Sequence, residues 1–130
     1  MTDQAIEQEI QGKGLTAPRV TPADIEANIA GEFYFTAREG VMGEAWKGSD
    51  EKDEIDGVCI SELIDQQSPL SLLTFCVLVL KNGFTVTGES ACASPENFDA
   101  GLGRKIARQN AVAKIWPLMG YELRSKLAGV

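Results

Sequence analysis

The sequence predicts an α+β fold: an N-terminal helix, a long acidic loop, an antiparallel β-hairpin, and a long C-terminal helix kinked near Trp116-Pro117. Three observations carry this prediction. The run SLLTFCVLVL (71–80) is rich in β-branched and aromatic residues and leads into Asn82-Gly83, a strong short-range hairpin signal. The stretch ASPENFD is followed by apolar residues at helical spacing, and VTPADI carries the marks of a helix start.

Residues 1–19, with Gly12, Gly14 and Pro18, show no sustained periodicity and are expected to form a flexible tail ahead of a single α+β domain over 20–130. Order is expected from Val20. Thr21 suits an N-cap, Pro22 the first helical position, and Asp24 the positive end of the helix dipole. Val20 and Ile25 stand at the positions of a hydrophobic staple. Ile25, Ile29 and Phe33 then mark one face of a helix expected over Pro22–Glu32, with room to run on through Phe35.

An acidic insertion is expected at about 38–69. Gly40, Gly43, Gly48 and Gly57 punctuate it, SDEKDEID is a solvated charge run, and ISELI (60–64) could form a turn or two of helix. In the hairpin, a two-residue turn at Asn82-Gly83 would pair Lys81 with Phe84 and Val79 with Val86. This register gathers Leu73, Phe75, Val77, Val79, Phe84 and Val86 on one face, where the helices should pack. Leu78 and Leu80 fall on the other face with Thr85 and Thr87. That half-polar surface suits an oligomer or partner interface, or cover from the N-terminal part of the chain. Cys76 and Cys92 fall on opposite faces, which argues against a disulfide between them.

Ser94 is expected to cap the second helix, with Pro95 as its first residue and Glu96 and Asp99 in its first turn. Phe98, Leu102, Ile106 and Ala113 would form its inward stripe, with Ala107 and Ala111 beside it. Arg104, Lys105 and Arg108 would face outward. Pro117 pushes Trp116 out of helical conformation, so the helix should end or kink there, with Leu118, Tyr121 and Leu123 on a short continuation.

Composition narrows the chemistry. The 130 residues are 44% hydrophobic and 24% charged with no histidine, which removes Ser-His and Cys-His nucleophile pairs and imidazole ligands. Cys59, Cys76 and Cys92 are widely spaced and odd in number, so neither a disulfide framework nor a structural zinc site is indicated. The residues call for no cofactor, no metal and no catalytic machinery. The polar, acidic N-terminus points to a cytosolic protein, and the longest apolar run is too short to cross a membrane.

Charge is uneven. Residues 100–130 carry six basic side chains against Glu122, a net of +5, while the other 99 residues carry 18 acidic against 6 basic, a net of −12. The overall −7 disfavours nucleic acid. The basic segment can attract a small anion or pair with its own acidic neighbours. Arg104, Arg108 and Lys105 are the candidate anion contacts, and Ser90, Ser94 and Asn97 the candidate neutral hydrogen-bonding groups. Glu89, Glu96 and Asp99 oppose a phosphate at the helix start itself.

The stretch LTFCVLVLKNGFTVTGESACASPENFDAGLGRKIARQNAVAKIWPLMGY resembles the core of a family of small accessory proteins from tailed bacteriophages. VTPADIEANI is similar to that family's N-terminal helix, while Gly101 departs from the pattern where a better helix former is expected. The resemblance implies a phage-encoded, non-structural protein acting in the host bacterial cytoplasm, and it brings no catalytic residues. Small phage accessory proteins often act against host defences. The expected function is therefore a counter-defence binding protein, a homo-oligomer that sequesters a small anionic nucleotide-like signalling molecule. The alternative is a protein–protein inhibitor of a host defence or nucleic-acid-processing protein, acting through the acidic 44–65 segment.

Overall fold

A computed structural model describes residues 2–46, 54–55, 58–59 and 68–130. The elements in order are α1 (Asp3–Gly12), α2 (Pro22–Ala27), β1 (Ile29–Thr36), α3 (Ala37–Ala45), β2 (Glu54–Ile55), β3 (Val58–Cys59), β4 (Leu73–Leu80), β5 (Thr85–Ala91) and α4 (Ala100–Ala128). Short 3-10 turns at Pro69–Leu72 and Pro95–Asn97 precede β4 and α4. Strands β1, β4 and β5 form an antiparallel sheet in the order β1-β4-β5, and α4 lies across it, mainly over β5 and β4. The α+β class holds, with a three-stranded sheet where the sequence predicted a hairpin alone.

Helix α2 starts as expected: Thr21 accepts from the Asp24 N–H, and the Asp24 carboxylate accepts from the Thr21 N–H. It ends at Ala27 rather than Glu32. Ile29–Thr36 instead pairs with β4, Phe33 opposite Val77 and Phe35 opposite Phe75. The helical spacing of Ile25, Ile29 and Phe33 loses to the β preference of Ile, Phe, Tyr and Thr. A third strand also supplies the partner that a lone hairpin lacks.

Two stretches expected as irregular are helical. In α1, Thr2 caps by accepting from the Ala5 N–H, and Glu7 is buried against Arg19. In α3, Thr36 and Glu39 form a second capping box, so a helix occupies 37–45 at the start of the expected acidic loop. The charge run at 49–56, apart from the backbone of the short β2–β3 ladder, and the ISELI stretch at 60–64 lie outside the described residues.

The hairpin sits where Asn82-Gly83 predicts it, but its register is one residue off the expected one. Leu80 N–H donates to the Phe84 carbonyl (2.8 Å), Gly83 N–H to the Leu80 carbonyl (2.9 Å), and Gly83 has φ +88°. The loop is therefore Lys81-Asn82-Gly83, a three-residue turn with glycine in the left-handed position. Val86 consequently stands opposite Leu78, not Val79, and Gly88 opposite Cys76.

That shift reverses the expected faces. The core is Cys76, Leu78, Leu80 and Val86 with Ile25, Ala107, Ala111 and Ile115. Leu78 and Leu80, expected either at an oligomer or partner interface or under cover from the N-terminal part of the chain, are buried within the chain, with Ile25 of α2 in the same cluster, so the second alternative holds. Phe75, Val77 and Val79 point to the other side, where Phe75 stacks on Phe35 (5.3 Å between centroids) and Phe33 is 58% exposed. Both faces of β4 are apolar enough to be buried. The choice falls to the face holding Gly88, because α4 seats directly on it.

A Cβ on Gly88 would lie 2.1 Å from the Ala107 carbonyl oxygen and 2.3 Å from the Ala111 nitrogen. The inward stripe of α4 is accordingly Gly103, Ala107, Ala111 and Ile115. The expected stripe is displaced: Leu102 and Ile106 are exposed, at 55% and 39%. The helix is capped by Asp99, whose carboxylate accepts from the Leu102 N–H (2.9 Å), while Ser94 makes no side-chain cap. It does not end at Trp116 but continues through Pro117 to Ala128.

Candidate functional site

The six predicted site residues sit on two different flanks of α4. On the β1 flank, Arg108 is the hub of an ion-pair cluster. Its Nη1 and Nη2 donate to the two oxygens of Glu26 (3.0 and 2.7 Å), and its Nε donates to Glu32 (2.7 Å). These bonds join α4 to α2 and β1. The paired guanidinium holds the Glu26 carboxyl below its usual range. Two carboxylates around one cation leave this point net negative, so Arg108 is placed as an internal clamp and not as an anion contact. The acidic neighbours that pair with it, Glu26 and Glu32, lie in the segment expected as one helix over Pro22–Glu32.

One turn earlier, Arg104 rests on the Tyr34 ring, its guanidinium carbon 5.5 Å from the centroid. Arg104 is exposed and makes no ion pair among the described residues. Burial, aided by the Glu32 carboxylate that accepts its O–H (3.0 Å), pushes the Tyr34 pKa up and keeps the phenol neutral. Lys105, the next residue of α4, is also exposed. Sequence reasoning missed Tyr34 because a helical reading of 29–35 would not align it under α4. The Phe-Tyr-Phe-Thr run was the signal that could have placed it on a strand.

On the opposite flank, Ser90 and Asn97 line a small cleft of about 130 Å³ with Cys92, Phe98 and Asp99. Leu102 and Ile106 form its apolar wall, and none of the three basic candidates reaches it. Ser94 does not line it either; its carbonyl accepts from the Cys92 thiol (3.2 Å). Asn110 donates to the Glu89 carbonyl (2.8 Å) at the adjoining edge of β5. β5 and β1 are separated by β4, so the two flanks lie about 10 Å apart, two strand spacings. Within one chain the predicted residues do not converge on a single pocket.

The buried Cys76 thiol has its pKa pushed up by desolvation, which removes nucleophilic character at neutral pH. Among the described residues no three acidic or thiol side chains gather as a metal-binding group, and no helix is long and apolar enough to cross a membrane.

Compared with known proteins, the chain matches the model of one family, described as the phage protein (N4 Gp49/phage Sf6 gene 66) family, over residues 20–127. No curated protein and no solved structure matches it.

Proposed function

The chain belongs to this phage protein family, and we propose that it is an accessory protein that binds, and does not transform, a small anionic nucleotide-like molecule in the host cytoplasm. The observation that carries the reading is Arg104: exposed, without a carboxylate partner among the described residues, and laid on the Tyr34 ring. A guanidinium stacked on an aromatic ring keeps its edge donors available for phosphate oxygens. The Arg108–Glu26–Glu32 clamp fixes α4 against β1 and so holds Arg104 over Tyr34 before any ligand arrives.

Ser90 and Asn97 enter this reading through oligomerisation. They lie on the far flank of α4, so they join the Arg104 flank only if two protomers bring opposite flanks together. Sequestering a signal in such a pocket would suit a counter-defence role for a phage protein, an argument from class and not from the site itself.

The test is thermal melting with cyclic nucleotides and ADP-ribose derivatives, with native mass measured alongside. A ligand at 100 times its Kd stabilises by about 2.7 kcal/mol, a shift of several degrees. Arg104→Ala should abolish the shift while leaving the protein folded. No shift with any of these compounds on a folded sample, or an unchanged shift in Arg104→Ala, overturns the proposal.

A further inference from the structure

Helix α1 precedes the span that matches the family, and it is held to the rest of the molecule by polar contacts at two points. Trp116 Nε1 donates to Asp3 Oδ2 (3.1 Å), and Arg19 pairs with Glu7, whose side chain is only 8% exposed. Between these points the packing is incomplete. A cleft of about 240 Å³ remains under the helix, walled by Ile6, Ile10, Val20 and the Trp116 indole. Ile6 stays 42% exposed. A ten-residue helix is marginal alone, so this apolar side is the one that should have closed on the body.

We propose that this cleft is a binding site for a small aromatic ammonium compound, a single ring on a short amine-bearing chain. Size and charge set the class. A cavity of about 150 Å³ accommodates benzene, so this cleft takes a ring with two or three further atoms. Glu7 and Arg19 neutralise each other, and the Gln11 amide donates to the remaining Glu7 oxygen (3.4 Å). Among the described residues the hydrogen-bond partner of the Asp3 carboxylate is the neutral indole and no cationic side chain pairs with it, so the cleft mouth carries a carboxylate that only the start of α1 offsets. The indole offers a face to the ring or the cation, and a carboxylate ligand would be repelled. The site is independent of the Arg104 flank: its preferred charge is opposite and it shares no residue with it.

The experiment uses the full chain carrying Trp46→Phe, so that emission reports Trp116 alone. Phenethylamine should give a saturable change in emission, with shifts in the Ile6, Ile10 and Val20 methyl resonances, and phenylacetate should give none. Asp3→Asn should weaken phenethylamine binding at least about fivefold. Ile10→Phe, which fills the cleft, should abolish binding without lowering Tm. The proposal is overturned if phenethylamine gives no saturable change up to about 10 mM, where a specific ligand of this size must register. Equal binding of phenylacetate, or Kd unchanged in both Asp3→Asn and Ile10→Phe, overturns it as well.

Discussion

Among the described glycines, Gly88→Ala should be the most damaging substitution. The added methyl would stand 2.1 Å from the Ala107 carbonyl oxygen and 2.3 Å from the Ala111 nitrogen, against an ordinary contact of 3.4 Å or more. Both obstacles are helix backbone, so no side chain can rotate away. Relief requires α4 to lift by about 1.3 Å. A gap of 0.5–1 Å already forfeits roughly a quarter to a half of each dispersion contact, and the loss falls on the whole Gly103–Ala107–Ala111–Ile115 stripe. Overpacking usually costs about 1–3 kcal/mol, and a backbone clash belongs at or above the top of that range, about 3–5 kcal/mol. For a domain stable by about 5–15 kcal/mol that is a large fraction. Urea and thermal unfolding followed by circular dichroism should show Tm lower by roughly 10–20 °C. Gly120→Ala is the control. It adds a methyl to the same helix in open space and should be neutral or stabilising by up to about 1 kcal/mol. A Gly88→Ala protein within 1 kcal/mol of wild type would refute the close seating of α4 on β5.

Three other outcomes are expected. Arg108→Ala should cost about 1 kcal/mol or less, because the cluster is substantially solvent-screened. Glu26 has a folded pKa below its unfolded one, so its contribution is complete above the ordinary carboxylate range and lost as pH falls through the lowered value. Stability measured from pH 6 down to pH 3 should therefore fall less steeply in Arg108→Ala than in wild type; parallel curves would argue against the pair. Asp99→Ala should cost about 1 kcal/mol as a lost N-cap, while Ser94→Ala should stay within about 0.5 kcal/mol. The reverse ranking in urea titrations would return the helix start to Ser94. Gly83→Ala should cost about 1 kcal/mol through its left-handed φ, and an unaffected melting curve would refute the three-residue turn.

Where a local rule had no competitor, the sequence was readable. Thr21-Pro22-Asp24 specifies the start of α2 through side-chain hydrogen bonds that need no distant partner, and Asn82-Gly83 marks the hairpin. The α+β class and the phage family followed from such stretches. Elsewhere two local solutions were close in energy. Ile29–Phe35 fits a helix by spacing and a strand by residue type, and pairing with β4 decides. Ser94 and Asp99 are both acceptable caps; the 3-10 turn at 95–97 hands the role to Asp99. Thr36-Ala37-Arg38-Glu39 is a capping box in plain sight, obscured by the glycines around it. The candidate site was hardest to read. Arg108 could be recognised as cationic, but its partners Glu26 and Glu32 stand 82 and 76 residues away, and only the fold brings them to it.

The direct seating of α4 on Gly88 also governs which positions can diverge. Position 88 admits no side chain, and growth at 107 or 111 would push the helix off the strand, so these three sites must change together or not at all. A randomised library over the sheet and helix should therefore return glycine at 88 and small residues at 107 and 111. Arg104, Lys105, Leu102 and Ile106, on the flanks of the same helix, are released from that constraint. The rigid seam leaves both margins of α4 open to variation, so descendants of this chain could acquire new binding preferences without rebuilding the core.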